Sequence, residues 1–292
     1  ASGGGGGGSD ANGISDPTNS PASMKEMHDK ILESVNQIVD PTILAQKSSA
    51  EAQALNWLLR DDKVWTPNHE DFSSSRIVQR FVLVAFYLSM GGPLYWKANN
   101  WLHDEECTWN FLDCNEQGEV RALAFENVGL AGEVPALVAH LKKVENFIIK
   151  KESGVEGKIP GELGHISTLK QLGIYYTNLS GPIPKSIFQA TGLTYINFQN
   201  NNLDGSIPVE VGQLPGLETL VLLNNGLSGE IPWQNLASTG IKFLGLSNNK
   251  LHGHITLPAG GFLNLEFLYL DGNDLNGELP AAIGNISTLR SL

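Results

Sequence analysis

Apolar residues follow two different rhythms along this chain, one over residues 23–90 and another from residue 120 to the end. In the first region the spacing is helical. Ser23 with Glu26 three residues on forms a capping box, and Met27, Ile31, Val35 and Ile38 then share one helical face until Asp40-Pro41 stops the run. Ser48 with Glu51 repeats the pattern ahead of Leu55, Trp57, Leu58 and Leu59. A third start at Ser73 to Ser75 precedes Ile77, Phe81, Ala85 and Leu88, and Gly91-Gly92 closes it. The pattern predicts three short amphipathic helices. From residue 120 the chain instead repeats the unit L-x-x-L-x-L-x-x-N-x-L-x-G-x-I-P, most clearly from Leu193 to Pro208 and from Leu217 to Pro232. Other copies end at Pro135, Pro160, Pro184 and Pro280, and one has Thr256 in place of proline. The step is 25 residues from Pro135 to Pro160 and 24 afterwards, so one extra residue lies within Phe147 to Val155, as a bulge after the strand.

The period has a physical meaning. The central L-x-L of each copy is a short strand with two inward side chains, and copies stack as a parallel sheet because none buries its apolar face alone. This predicts an α/β solenoid preceded by a small helical N-terminal cap region. Asn201, Asn225, Asn249 and Asn273 hold one place in four consecutive copies, where a buried amide can satisfy backbone groups of adjacent turns. Thr177, Ser153 and Val128 hold that place earlier in the chain. The side chains beside the buried strand residues face the concave surface: Tyr175, Tyr176, Tyr195, Asn197, Val221, Leu223, Phe243, Phe267, Tyr269 and Asp271. An apolar and aromatic face across five strands marks a protein-binding surface, unless the helical region or a second copy covers it.

The L-x-G-x-I-P ending resembles the plant-specific class of leucine-rich repeats found in receptor-kinase ectodomains and polygalacturonase-inhibiting proteins. The resemblance covers Trp101 to Leu292. The segment from Trp101 through Cys107 and Trp109 to Cys114 resembles that family's N-terminal cap, with the same C-x6-C spacing; Asn110, Phe111 and Leu112 replace the usual x-G-V. Ala54-Leu-Asn-Trp57-Leu and Val78-Gln-Arg80-Phe81 resemble the extended cap of repeat proteins from diatoms and related algae. The resemblance implies a right-handed superhelix that recognises a partner without catalysing a reaction. It divides the chain into a flexible Gly-rich linker (1–22), a helical cap extension (23–100), a disulfide-containing cap (101–119) and repeats (120–292, seven plus a truncated eighth). Cys107 and Cys114 are the two cysteines, and their spacing fits a disulfide better than half a metal site with His103.

Composition narrows the choice of partner. A net charge of −12 argues against nucleic acid and against an anionic membrane surface. Phe81 to Met90 is too short to span a bilayer, which takes about 20 apolar residues. Asn178-Leu-Ser180 and Asn285-Ile-Ser287 are glycosylation sequons outside the inward positions. No catalytic motif or cofactor fingerprint stands in a supporting context; a stacked column of Glu230, His254 and Glu278 is the best metal candidate and reads better as a solvated edge. The expected function is a non-enzymatic recognition module of an extracellular, cell-surface or secretory-lumen protein, with no cofactor, binding a protein, peptide or glycan ligand. The alternative is a scaffold subunit in a larger assembly. The chain starts without Met, and Leu289-Arg-Ser-Leu292 restarts the repeat, which predicts that further repeats and a cap follow.

Overall fold

The computed structural model describes residues 21–64, 72–96, 100–258 and 261–292; the linker assigned to 1–22 therefore lies, through residue 20, outside the described residues. Among the described residues five α-helices precede the sheet: α1 (Pro21–Asn36), α2 (Pro41–Leu44), α3 (Ala50–Arg60), α4 (Ser74–Ser89) and α5 (Gly92–Tyr95). Ser73 caps α4 by accepting from the Arg76 amide, and Ser49, rather than Ser48, caps α3 by accepting from the Ala52 amide. The Ser23 capping box is not used as a start, because α1 already begins at Pro21, a residue suited to the first helical position. Asp40-Pro41 ends the first helical run and starts α2, with the Asp40 carboxylate accepting from the Thr42 amide and hydroxyl.

Beyond the helices the chain winds as a solenoid. Leu112–Cys114 starts an eight-stranded sheet and pairs antiparallel with Val120–Glu126. Asn146–Lys150, Gln171–Tyr175, Tyr195–Asn197, Thr219–Val221, Phe243–Gly245 and Phe267–Tyr269 then follow in chain order, all parallel. Leucines, isoleucines and phenylalanines at the inward positions, such as Leu172, Ile196, Leu220, Leu244 and Leu268, are buried in one continuous core. Short strands such as Ser228–Glu230 and Lys250–His254 form a second side of each turn, and one-turn helices such as Val209–Gln213 form the third. The truncated eighth copy adds a single bridge between Phe267 and Ser291.

The ladder position differs from the expectation at one rung. Phe147 pairs with Leu172 and Ile149 with Ile174, so Glu152, not Ser153, matches Thr177. The extra residue falls after this place, between Glu152 and Val155, which counting from the later copies cannot detect. Glu152 is buried, and its carboxylate accepts from the amides of Val128, Gly129 and Leu130 at 2.5, 2.9 and 2.9 Å. In the later copies Asn201, Asn225, Asn249 and Asn273 accept from Leu179, Leu203, Leu227 and Leu251, and their amides donate to carbonyls of their own and the preceding turn.

The helical region meets the repeats through α4, whose apolar face stacks Phe86 on Phe125 at 5.4 Å and whose polar face is buried as well. Arg80 is the centre of that polar face. Its guanidinium binds Asp62 through two atoms, at 2.5 and 2.8 Å, and Glu106 at 3.0 Å. Trp57 and Trp109 place rings 5.3 and 5.1 Å from it. Gln79 donates to Glu106 and to the Gly118 carbonyl, and accepts from the Val120 amide, the first residue of the parallel stack. Arg76 pairs with Glu105 and Glu106. The cap itself is closed by a disulfide between Cys107 and Cys114.

Two outcomes test these assignments. Arg80→Ala strands Asp62 and Glu106 as buried unpaired carboxylates and is expected to cost about 3–5 kcal/mol; urea unfolding followed by tryptophan fluorescence measures it, and a loss under ~1 kcal/mol would refute the cage. Glu152→Ala leaves three buried amides without acceptors and is expected to cost at least ~3 kcal/mol at roughly 1–3 kcal/mol per group, against a smaller loss for Glu152→Gln.

Candidate functional site

The strand register sorts the concave side chains into three rows. The first runs Gln171, Tyr195, Thr219, Phe243, Phe267, and the second Gly173, Asn197, Val221, Gly245, Tyr269. The third carries Lys150 and Tyr175, and continues through Gln199, Leu223, Ser247 and Asp271, whose carbonyls accept from the amides of Tyr176, Asn200, Asn224 and Asn248. Tyr175, Leu223 and Asp271 therefore line up with each other, two rows away from Tyr195 and Phe243.

Glycines in the second row give the larger side chains somewhere to lie. The Tyr175 ring passes 3.0 Å from where a Cβ on Gly173 would stand, and Phe243 and Leu223 close over Gly245 in the same way. At the C-terminal end Phe243 packs 5.8 Å from Phe267 and 5.4 Å from Tyr269, ring centre to ring centre. At the other end Tyr175 and Tyr176 lie 6.0 Å apart. Tyr176 and Asp271 are exposed, while Tyr175, Tyr195, Leu223, Phe243, Phe267 and Tyr269 are half-buried.

Two expected surface residues are not at the surface. Asn197 is 4% and Val221 7% exposed. Asn197 donates to the Tyr195 hydroxyl at 2.9 Å and accepts from the Gln199 amide at 3.0 Å, so it braces the tyrosine from beneath. Val221 lies between Asn197 and Gly245 in its row, below the level of Leu223 and Phe243. Both support the face from within.

Two functional candidates escaped the sequence reading. Lys150 and Lys151 stand on the turn before Tyr175 and Tyr176, and both pair with Glu126, at 2.7 and 2.9 Å. The hydrogen bond to Glu126 holds the Lys150 ammonium above its ordinary pKa, and burial pushes the Tyr175 hydroxyl up. The signal was present in the sequence as doubled residues, Lys-Lys and then Tyr-Tyr, at the same place in consecutive copies.

Glu230, His254 and Glu278, read from the sequence as a stacked solvated edge, do not stack in one register. The second side of the solenoid pairs with a 22-residue offset, which sets Glu230 beside His252 and His254 beside Asn276. Among the described residues no group of three or more His, Cys, Asp or Glu side chains could hold a metal ion. Asn178 is exposed and donates to the Ser153 carbonyl at 2.7 Å; Asn285 is exposed at the end of the Ala281–Asn285 turn. Among the described residues no helix is long and apolar enough to cross a membrane.

A family model for the Leucine Rich Repeat matches residues 192–214 and 264–286. The leucine-rich repeat receptor-like serine/threonine-protein kinase RGI4 of Arabidopsis thaliana is 33% identical over 96 residues, 32% of this chain and 8% of that protein. The chain carries leucine-rich repeats homologous to those of plant receptor kinases. In solved structures, a complex of PEPR1 with AtPEP1 matches 72% of this chain and 30% of its own, with TM-score 0.66 and 25% identity. The Arabidopsis receptor kinase HAESA, solved with the peptide hormone IDA and the co-receptor SERK1, matches 63% of this chain and 31% of its own, with TM-score 0.59 and 28% identity. The match thus spans under a tenth of the curated relative, and the kinase domain of that relative is not covered by this chain.

Proposed function

We propose that this leucine-rich-repeat chain is a non-enzymatic recognition module of an extracellular or cell-surface protein, binding its partner on the concave face. One observation carries the reading. A band of tyrosines, phenylalanines and leucine crosses five adjacent strands and remains partly open to solvent, the kind of surface that marks a binding site. Among the described residues the helices do not account for it: α4 packs on Ala131–Glu133 and Ala136–His140, away from the later strands. HAESA is solved with a peptide hormone, and that likeness favours a peptide as the ligand here. The disulfide and the two exposed sequon asparagines suit an oxidising, secretory route.

Phe243→Glu together with Tyr269→Glu is expected to abolish partner capture. Because both rings are half-buried and packed on each other, a stability loss of about 1–3 kcal/mol accompanies it, and capture is compared well below the variant's unfolding midpoint. Capture that survives both changes, measured beside the thermal midpoint, would move the site elsewhere. Alkylation of the unfolded, unreduced chain is expected to label neither Cys107 nor Cys114; labelling of both would remove the extracellular reading.

A further inference from the structure

Directly after each concave strand one residue takes the left-handed backbone conformation. In chain order these are Asn127, Lys151, Tyr176, Asn200, Asn224 and Asn248, with φ between 52° and 58°, and then Gly272. Asparagine and glycine enter this region readily, whereas a long or bulky side chain there is a genuine outlier. The asparagines also gain from the position: Asn224 donates to Asn200 at 3.1 Å and Asn248 to Asn224 at 2.8 Å, an outer amide ladder. Lys151 and Tyr176 break that series on two neighbouring turns. Leu102 and Phe111 share the conformation, but they pack against the core. Lys151 and Tyr176 do not. The Lys151 side chain is 61% exposed and adds a second cation to a carboxylate that Lys150 already neutralises. Tyr176 is 47% exposed, and among the described residues its hydroxyl makes no hydrogen bond. Strain kept for no more than a redundant surface ion pair and one exposed ring contact points to a ligand.

Charge then gives that ligand a direction. Along the edge where the strands begin, Lys170, Lys242 and Arg290 are each matched by Glu145, Glu218 and Glu266. On the face itself the third row is different. It begins at Glu126, where Lys150 and Lys151 together leave one net positive charge, passes through Tyr175, Gln199, Leu223 and Ser247, and ends at exposed Asp271. The face is positive at one end, uncharged in the middle and negative at the other. From Lys150 to Asp271 there are five strand steps, about 24 Å at roughly 4.8 Å each, which an extended chain covers in about seven residues.

We propose that Lys150, Lys151 and Tyr176 anchor the acidic end of an extended peptide of about seven residues, whose basic end lies at Asp271. The proposal rests on the concave-face reading and specifies the chemistry of its ligand. The anchor works by the exposed Lys151 ammonium, with half-buried Lys150 neutralising Glu126 beside it, facing a peptide carboxylate while the Tyr176 ring packs on the adjoining peptide side chain.

The test uses the full chain panned against a phage-displayed random heptapeptide library, followed by titration of one selected synthetic peptide. Selected sequences are expected to carry Asp or Glu at one end and Lys or Arg at the other, with affinity that falls as salt is raised. Lys151→Asn with Tyr176→Asn is expected to lower affinity at least tenfold while leaving the thermal midpoint equal or higher, since asparagine suits the left-handed backbone. Selected peptides without segregated charge would overturn the proposal. So would unchanged affinity in the double variant; if Phe243→Glu still abolished binding in that case, the concave-face reading would stand without the anchor. Failure to select any binder would count against both.

Discussion

A turn of a parallel stack buries its leucines only against the next turn, so the first turn needs a partner that the repeat cannot supply. Here the partner is α4, and Arg80 fixes where α4 sits. Burial alone pulls a guanidinium pKa down, but the hydrogen bonds and charges of Asp62 and Glu106 outweigh it and leave Arg80 above its ordinary value. The cation is held by four groups from two regions: Trp57 and Asp62 from α3 and its exit, Glu106 and Trp109 from the disulfide cap. A buried ion pair of this kind is often no more stable than apolar side chains of equal volume. What it supplies is geometry, because few other placements of α4 satisfy both carboxylates at once. Gln79, one residue earlier, carries that placement into the stack by holding the Val120 amide.

Once the first strand is placed, the 24-residue step places the rest. Each later strand copies the position of its predecessor, so a side chain choice made in one copy is laid beside the same choice in the next. The aromatic band is the sum of several such choices in register. Its smooth shape depends on Gly173 and Gly245, since a Cβ at either would displace Tyr175 or Phe243 and Leu223. The same regularity isolates Lys151 and Tyr176, which stand out only against five neighbours that obey the backbone preference.

Much of this was legible in the sequence, and the misses share a cause. The helical spacing and the 24-residue period foretold the helices, the strands, the inward leucines and the asparagine places, because each depends on residues near in sequence. Asn197 and Val221 were misjudged because alternation says which way a residue points but not how far neighbouring side chains, such as the Tyr195 ring bonded to Asn197, close over it. The stacking of Glu230, His254 and Glu278 failed for a related reason: the concave side of the solenoid pairs at 24 residues here and the other side at 22. Arg80 entered the sequence reading through a cap resemblance and its partners could not be named, since its two carboxylates lie 18 and 26 residues away on separate segments.

The substitution of Glu152 for asparagine follows from its place at the start of the ladder. In later turns one asparagine oxygen accepts a single amide from the turn before, and its nitrogen donates to carbonyls. At the first corner three successive amides, Val128 to Leu130, face inward together, and a carboxylate with two oxygens can take all three where an amide cannot. The extra residue between Glu152 and Val155 sits in this same turn and separates it from the geometry of the asparagine copies. The next amide, Ala131, donates to the Met90 carbonyl at the end of α4. Gly132 then passes so close that a Cβ would lie 2.9 Å from the Ser89 carbonyl, and its φ of +100° is open to glycine alone. Four consecutive backbone amides are thus shared between the second turn and α4. The corner that the repeat leaves unsatisfied is the corner where the helical cap is attached.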